Sequence, residues 1–461
     1  MSRRSLRRRS PARLKGGFGL AALASVTVLT LAACGGSSSS SSSPGAASTS
    51  SVGSTTSGSI VWSASPLSGT GANDARTVLI NAFEKQYPNI KVTLVSAPTD
   101  TDTNRATLAT QIAGGATTPD VFMGDVIWPA QFGAHQLAVP LSSYLPSSYW
   151  SRFATGLVAG ATYKGQVYGS PLFEDQGFLF YRKDLLSKDK LPVPTTWEQL
   201  ESDAKAVLAK GQAKYGFVWQ GDSYEGLTCN FMEYLTDAGG TATNSGYTQA
   251  TLNSAAALKA VTFMRSLVTS GVTPAAVTTF QEPQAMNTFG GGNAVFIRNW
   301  DYAYSTSITP ADGGKLTASQ VGVEPLPTFA GQPTPGYSNI GGWNMYINPH
   351  SKHLGADLTF IQWLSSTAGQ DILSQKYGFI STLTAVRSSP AVVSSNPVFA
   401  IVPKTKLVPR PAGTPQYPAL STAIYTNVNA ALAGSSSPAA AVAAMQSAAN
   451  AALSSTSNGG L

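Results

Sequence analysis

The sequence predicts a protein of the α/β class. Short β-branched runs alternate with amphipathic stretches from residue 59 onward. The 461 residues are enough for two substantial domains. A hydrophobic content of 43% fits a soluble globular body, and beyond the first 33 residues no apolar run is long enough to span a bilayer.

The elements follow in order. A strand is expected over residues 59–64, around Ile60, Val61 and Trp62. A helix is expected over residues 74–87, because Val78, Leu79, Ala82 and Phe83 share one face. Pro88-Asn89 ends it, and residues 90–95 read as the next strand. A helix over residues 106–113 is stopped by Gly114-Gly115, and residues 120–125 read as a buried strand. Strand–helix–strand–helix–strand implies right-handed crossovers and a mostly parallel sheet. After Pro194, Thr196 is placed to cap a helix opening at Trp197, with Gln199 completing a capping box. Further helices are expected over residues 226–238, 254–270, 354–366 and 438–453, and no repeat of fixed period is visible.

The first 33 residues stand apart. Arg3, Arg4, Arg7, Arg8, Arg9, Arg13 and Lys15 precede an apolar run over residues 18–30, then Leu31-Ala32-Ala33-Cys34. Basic, apolar, then small residues is the layout of a secretory signal peptide. The ending resembles a bacterial lipobox, which implies that Cys34 is lipidated and becomes the mature N-terminus. Ser2-Arg3-Arg4-Ser5-Leu6 also looks somewhat like a twin-arginine signal, so either export route is open. Residues 35–58, almost all Ser, Gly, Thr and Ala, are expected to form a flexible tether reaching roughly 25–30 Å. Residues 454–461 are expected to be a frayed tail.

Removing the signal removes the charge. The chain has 30 Lys and Arg against 23 Asp and Glu, and residues 1–33 hold seven of the basic ones and no acid. The mature part therefore balances 23 against 23, and no basic stripe points to nucleic acid. With Cys34 taken by the anchor, Cys229 is left as a buried apolar thiol. No cofactor or metal site is expected. Residues 100–104 resemble the start of a calcium loop, but Arg105 stands where Gly is needed and Gln111 where Glu is needed. His350 and His353 lack a third ligand, and with His135 the only other histidine no Ser-His-Asp site is expected. Gly290-Gly291-Gly292 lacks the Lys of a phosphate loop.

An ordered set of motifs carries a resemblance. Residues 79–92, Pro119-Asp120-Val121-Phe122-Met123-Gly124-Asp125, Tyr168-Gly169-Ser170-Pro171, residues 179–185 and Pro194-Thr195-Thr196-Trp197 resemble extracellular solute-binding proteins of ABC sugar importers. The group is the one containing the maltose-binding proteins, and the matches run from residue 59 to about 430. Residues 221–234, Arg298-Asn299-Trp300-Asp301-Tyr302, Gly341-Gly342-Trp343 and Pro409-Arg410-Pro411 resemble its trehalose/maltose-binding branch. The resemblance implies a two-lobed periplasmic-binding-protein fold, with a ligand cleft between lobes and three interlobe crossings, near residues 169–174, 326–338 and 379–384. Lobe 1 would comprise residues 59–170 and 338–380, and lobe 2 residues 171–337 and 381–453. It implies a monomer that captures a disaccharide by lobe closure and delivers it to an ABC permease, without catalysis.

The same resemblance implies ligand contacts at Asp125, Asp175, Trp300, Gly342, Trp343 and Arg410, and more loosely at Arg105. The branch carries a Glu in the loop after the first strand. Residues 65–74 have none, and Asn73 or Asp74 is expected to replace it. The chemistry suits a sugar. Carboxylates accept hydroxyl protons, Arg410 forks onto two oxygens, and Trp rings stack on C–H faces. The alternatives are a lipid-anchored glycoside hydrolase, using two such carboxylates, and a sensor that hands its closed form to a signalling receptor.

Overall fold

The computed structural model describes residues 57–455. The signal peptide, Cys34 and nearly all of the tether lie outside the described residues.

Eleven strands are present among the described residues. β1 (Gly58–Ala64), β2 (Ile90–Ser96) and β3 (Val121–Asp125) come first. β4 (Thr162–Tyr163) and β5 (Gln166–Val167) form a small separate hairpin. The long β6 (Ser170–Arg182), β7 (Tyr215–Val218), β8 (Ala294–Trp300), β9 (Val321–Glu324), β10 (Tyr337–Ile347) and β11 (Lys406–Val408) follow. One nine-stranded sheet runs β2-β1-β3-β10-β6-β8-β7, with β11 beside β10 and β9 beside β6.

β1 pairs in parallel with both β2 and β3, as strand–helix–strand alternation requires. Beyond them the sheet is mixed rather than mostly parallel: β7 with β8 and β10 with β11 are parallel pairs, and the others are not. β10 is antiparallel to β3 and to β6, and β6 is antiparallel to β8 and β9. The cause is the two long strands, which join the two ends of the sheet by running against their neighbours. β6 faces β10 up to Gln176 and β8 from Gly177 onward. β10 pairs with β11 at Tyr337–Asn339 and with β3 from Trp343.

Side chains alternate across this sheet and fill one packed core on each face. Phe122, Leu179, Tyr181 and Tyr346 enter one core, with Trp197, Trp219 and the 417–449 helices. Val121, Met123, Phe178, Phe180, Met345 and Ile347 enter the other, with Trp62, Phe83 and Phe360. The sheet is covered on both sides, and β3 and β6 are buried along their whole length.

Helix boundaries follow capping chemistry. Asp74 accepts from the Arg76 N–H at 2.9 Å and starts the helix Ala75–Gln86. The next helix, Thr101–Ala113, opens five residues before the expected 106, because Asp100 accepts from the Thr103 N–H at 2.8 Å. Thr196 caps as expected, accepting from the Gln199 N–H at 3.1 Å. The Gln199 side chain accepts from Thr195 rather than from the cap residue itself.

Candidate functional site

A cavity of about 460 Å³ opens where β3, β6 and β10 meet the end of β8. Six residues singled out from the sequence line it: Asp125, Asp175, Trp300, Gly342, Trp343 and Arg410. Asp125 is the last residue of β3, opposite Trp343 of β10. Asp175 lies in β6 opposite Gly341. Trp300 closes β8, and Arg410 lies just past β11.

Arg410 is the centre of one wall. Its Nη2 donates to Asp125 Oδ1 and its Nη1 to Glu225 Oε1, both at 2.9 Å. Glu225 also accepts from Ser421 Oγ at 2.6 Å and from the Tyr417 hydroxyl. All three charges are buried. Burial alone would lower the Arg410 pKa, but Asp125 and Glu225 hold it well above the usual guanidinium value. Burial raises Glu225, and Arg410 opposes that rise. The fork therefore fixes the orientation of Asp125, whose Oδ1 also accepts from the Ile127 N–H at 3.2 Å.

Another part of the lining is aromatic. Trp300 is 7% exposed; Arg298 lies 4.0 Å over its ring and its Nε1 donates to Glu282 Oε1 at 3.3 Å. Arg298 is itself held by Glu233, with Nε to Oε2 at 2.9 Å. That pair explains Gly177 in β6, where a Cβ would lie 2.5 Å from Glu233 Oε1. Trp343 is half-buried and meets Trp128 edge to face, with centroids 6.4 Å apart. Gly342 has φ +117°, and a Cβ there would lie 2.5 Å from the Phe173 carbonyl. The backbone itself demands glycine at that position.

Asn73, Asp74 and Arg105 do not line the cavity. Asp74 is spent as a helix cap and pairs with Arg76, its Oδ2 2.5 Å from Nη2. Asn73 is exposed and offers its carbonyl to the Tyr377 hydroxyl at 2.7 Å. Arg105 reaches Gln131 Oε1 at 3.2 Å from the following helix. The substitute for the missing loop Glu is thus not supplied by these residues. Residues 65–70 of that loop do line the cavity, with apolar and hydroxyl groups only.

Several lining residues were not among the expected contacts. Glu225 reads from sequence as a helix-start residue, and it does open the helix Glu225–Asp237, but it also faces the cavity. Glu282, Tyr224, Tyr302, Phe379 and Asp312 join it. Tyr302 lies within the Trp300 motif and was legible there. Cys229 lines the wall and is 2% exposed, and burial pushes its thiol pKa up. No group of three or more His, Cys, Asp or Glu suited to a metal occurs among the described residues.

Comparison with known proteins places this site in context. A family profile described as bacterial extracellular solute-binding protein matches residues 69–371. A curated relative from Deinococcus radiodurans, "Probable ABC transporter-binding protein", is 31% identical over 368 residues, covering 78% of this chain and 85% of that one. The maltose-bound MalE3 structure of T. maritima is 32% identical with a TM-score of 0.76, covering 85% of this chain and 98% of that one. The GacH receptor of Streptomyces glaucescens, solved unliganded and with acarbose, is 25% identical with a TM-score of 0.75, covering 86% and 98%. These neighbours give the architecture: a two-lobed fold of the maltose-binding-protein type.

Proposed function

The chain belongs to the bacterial extracellular solute-binding protein family, and from that premise we propose that it captures a sugar for an ABC importer. The observation that carries this reading is the composition of the cavity wall. Asp125 and Asp175 face a space that Trp300 and Trp343 also line. Carboxylates take hydroxyl protons at about 1.5–3 kcal/mol each, and indole faces take sugar C–H groups. Its volume of about 460 Å³ falls in the range of roughly 300–1,000 Å³ usual for small-molecule sites. The ligands bound in the similar structures, maltose and acarbose, support a saccharide. A disaccharide such as maltose or trehalose is the finer reading.

The mechanism is differential contact. Ligand touching both walls stabilises the closed arrangement of the lobes, and that arrangement docks on the permease. Trp300 of β8 and Trp343 of β10 line the same space, and the Trp300 ring lies against Gly341, two residues before Trp343, so one ligand can meet both indoles. Arg410 works by holding Asp125 and Glu225 in place. The chain acts as a monomer on the outer face of the cell membrane, anchored through a lipid on Cys34. The Leu31-Ala32-Ala33-Cys34 motif supports the anchor, and no described helix is long and apolar enough to cross a membrane.

Tryptophan fluorescence reports the wall directly. Maltose or trehalose is expected to change it saturably, with the sugar recovered intact afterwards. Steady release of glucose would replace this account with a hydrolase.

A further inference from the structure

Behind the cavity wall sits a second carboxylate. Asp301 follows β8, is fully buried and does not line the cavity. Its Oδ2 accepts from the Ile380 N–H at 3.0 Å, and its Oδ1 is buried without a donor. Asp175, which does line the cavity, likewise has a buried Oδ1 without a donor. The two carboxyls lie in hydrogen-bonding reach of each other. Two carboxylates cannot bond without a proton between them, and one proton satisfies both orphaned oxygens at once.

We propose that Asp301 is a positioning residue of the ligand site, which shares a single proton with Asp175 and thereby fixes the Asp175 carboxyl toward the sugar. The pair then carries one negative charge, and Asp175 keeps its second oxygen for a ligand hydroxyl. This deepens the sugar-binding reading and rests on it only for the ligand measurement.

The surroundings favour the shared proton. Burial pushes Asp175 up to about 7; the bond to Asp301 opposes this, and Asp125, Glu174 and Glu282 add to it. Burial, then Asp175, raises Asp301 well above the usual carboxylate range. Among the described residues, three arginines of this region are already engaged. Arg410 is held by Asp125 and Glu225, Arg387 by Glu174, and Arg298 by Glu233. From the helix Glu282–Gly290, Glu282 faces the same space, and Tyr302 is a further titratable neighbour of the pair. No free positive charge on these elements stands ready to ionise both carboxyls.

The test needs no ligand at first. In wild-type protein labelled with 13C at the aspartate carboxyls, the Asp175 and Asp301 resonances, assigned by their loss in Asp175→Asn and Asp301→Asn, should move together in two coupled steps. One step should lie near pH 7 or above. Independent titration of both in the ordinary range near 4 overturns the proposal. The second arm is maltose affinity against pH. Above the step, wild-type Kd should rise by up to about tenfold per pH unit, the slope of one linked proton. Asp301→Asn should lose that slope, because the amide donates to Asp175 at every pH, whereas Asp301→Leu should bind weakly throughout. Equal slopes in wild type and Asp301→Asn overturn the proposal. Failure to bind maltose, with coupled carboxyl titration intact, sinks the sugar reading instead.

Discussion

The two tryptophans of the cavity are the same residue type in different mechanical situations. Trp300 is buried, stacked on Arg298 and bonded to Glu282. Trp343 is half-buried and rests on the edge of Trp128. Trp343→Ala should therefore weaken sugar binding about tenfold or more with a small change in Tm. Trp300→Ala should cost both binding and about 3–5 kcal/mol of stability. Calorimetric binding beside thermal melts of the two variants checks the split. Arg410→Ala is harsher, because it strands Asp125 and Glu225 as unpaired buried charges. A loss of about 3–5 kcal/mol is expected, read from urea unfolding. A core-like tryptophan and a wall tryptophan look alike in sequence. Only the motifs around Trp300 and Trp343 separated them from Trp62, Trp197 and Trp219, which are fully buried in the cores.

Among the elements, the long strands β6 and β10 decide the site, and they were the least legible part of the fold. The early alternation from β1 to β3 could be read because each apolar run is short and bounded by turn residues. β6 is buried over its whole length and carries Glu174, Asp175 and Gln176 inside it. Three consecutive polar residues interrupt the apolar pattern of a strand, yet in the fold each has a partner or faces the cavity. Gln176 donates to Glu174 Oε1 at 2.6 Å, and Glu174 pairs with Arg387. β10 carries an irregularity between Trp343 and Asn344, beside the strained Gly342. Gly342→Ala is expected to destabilise the protein by roughly 1–3 kcal/mol from backbone strain alone, and to displace Trp343. Loss of stability and of sugar binding together, by melting and calorimetry, is the expected outcome. The substituted loop after β1 shows the other limit of sequence. Its polar ends, Asn73 and Asp74, were natural candidates, but the helix that starts at Ala75 recruits them as its cap region.

At the scale of the whole molecule, buried carboxyls set the response to pH. Burial raises Asp102, Asp175, Asp237 and Asp357, each to about 7. In the unfolded chain these groups titrate near 3.9. The folded protein thus holds protons that the unfolded chain has lost, and stability falls as pH rises from about 4 through 7. Asp74, Asp184 and Glu84 are lowered despite burial, by bonds to Arg76, Arg182, and Val92 with Lys91, and their contribution is lost only in stronger acid. Melting temperature is therefore expected to be highest near pH 5 and to fall toward pH 8. A flat or rising profile would show that these carboxyls ionise freely.

The central claim is that the cavity between β3, β6, β10 and β8 binds a sugar through carboxylates and indoles. Titration calorimetry of the purified protein with maltose, trehalose, sucrose and glucose tests it most directly. Micromolar binding of at least one disaccharide is expected, about −8 kcal/mol, and it should weaken about tenfold or more in Asp125→Asn and in Trp343→Ala. No heat from any of the sugars, or an affinity unchanged by both substitutions, would contradict the account.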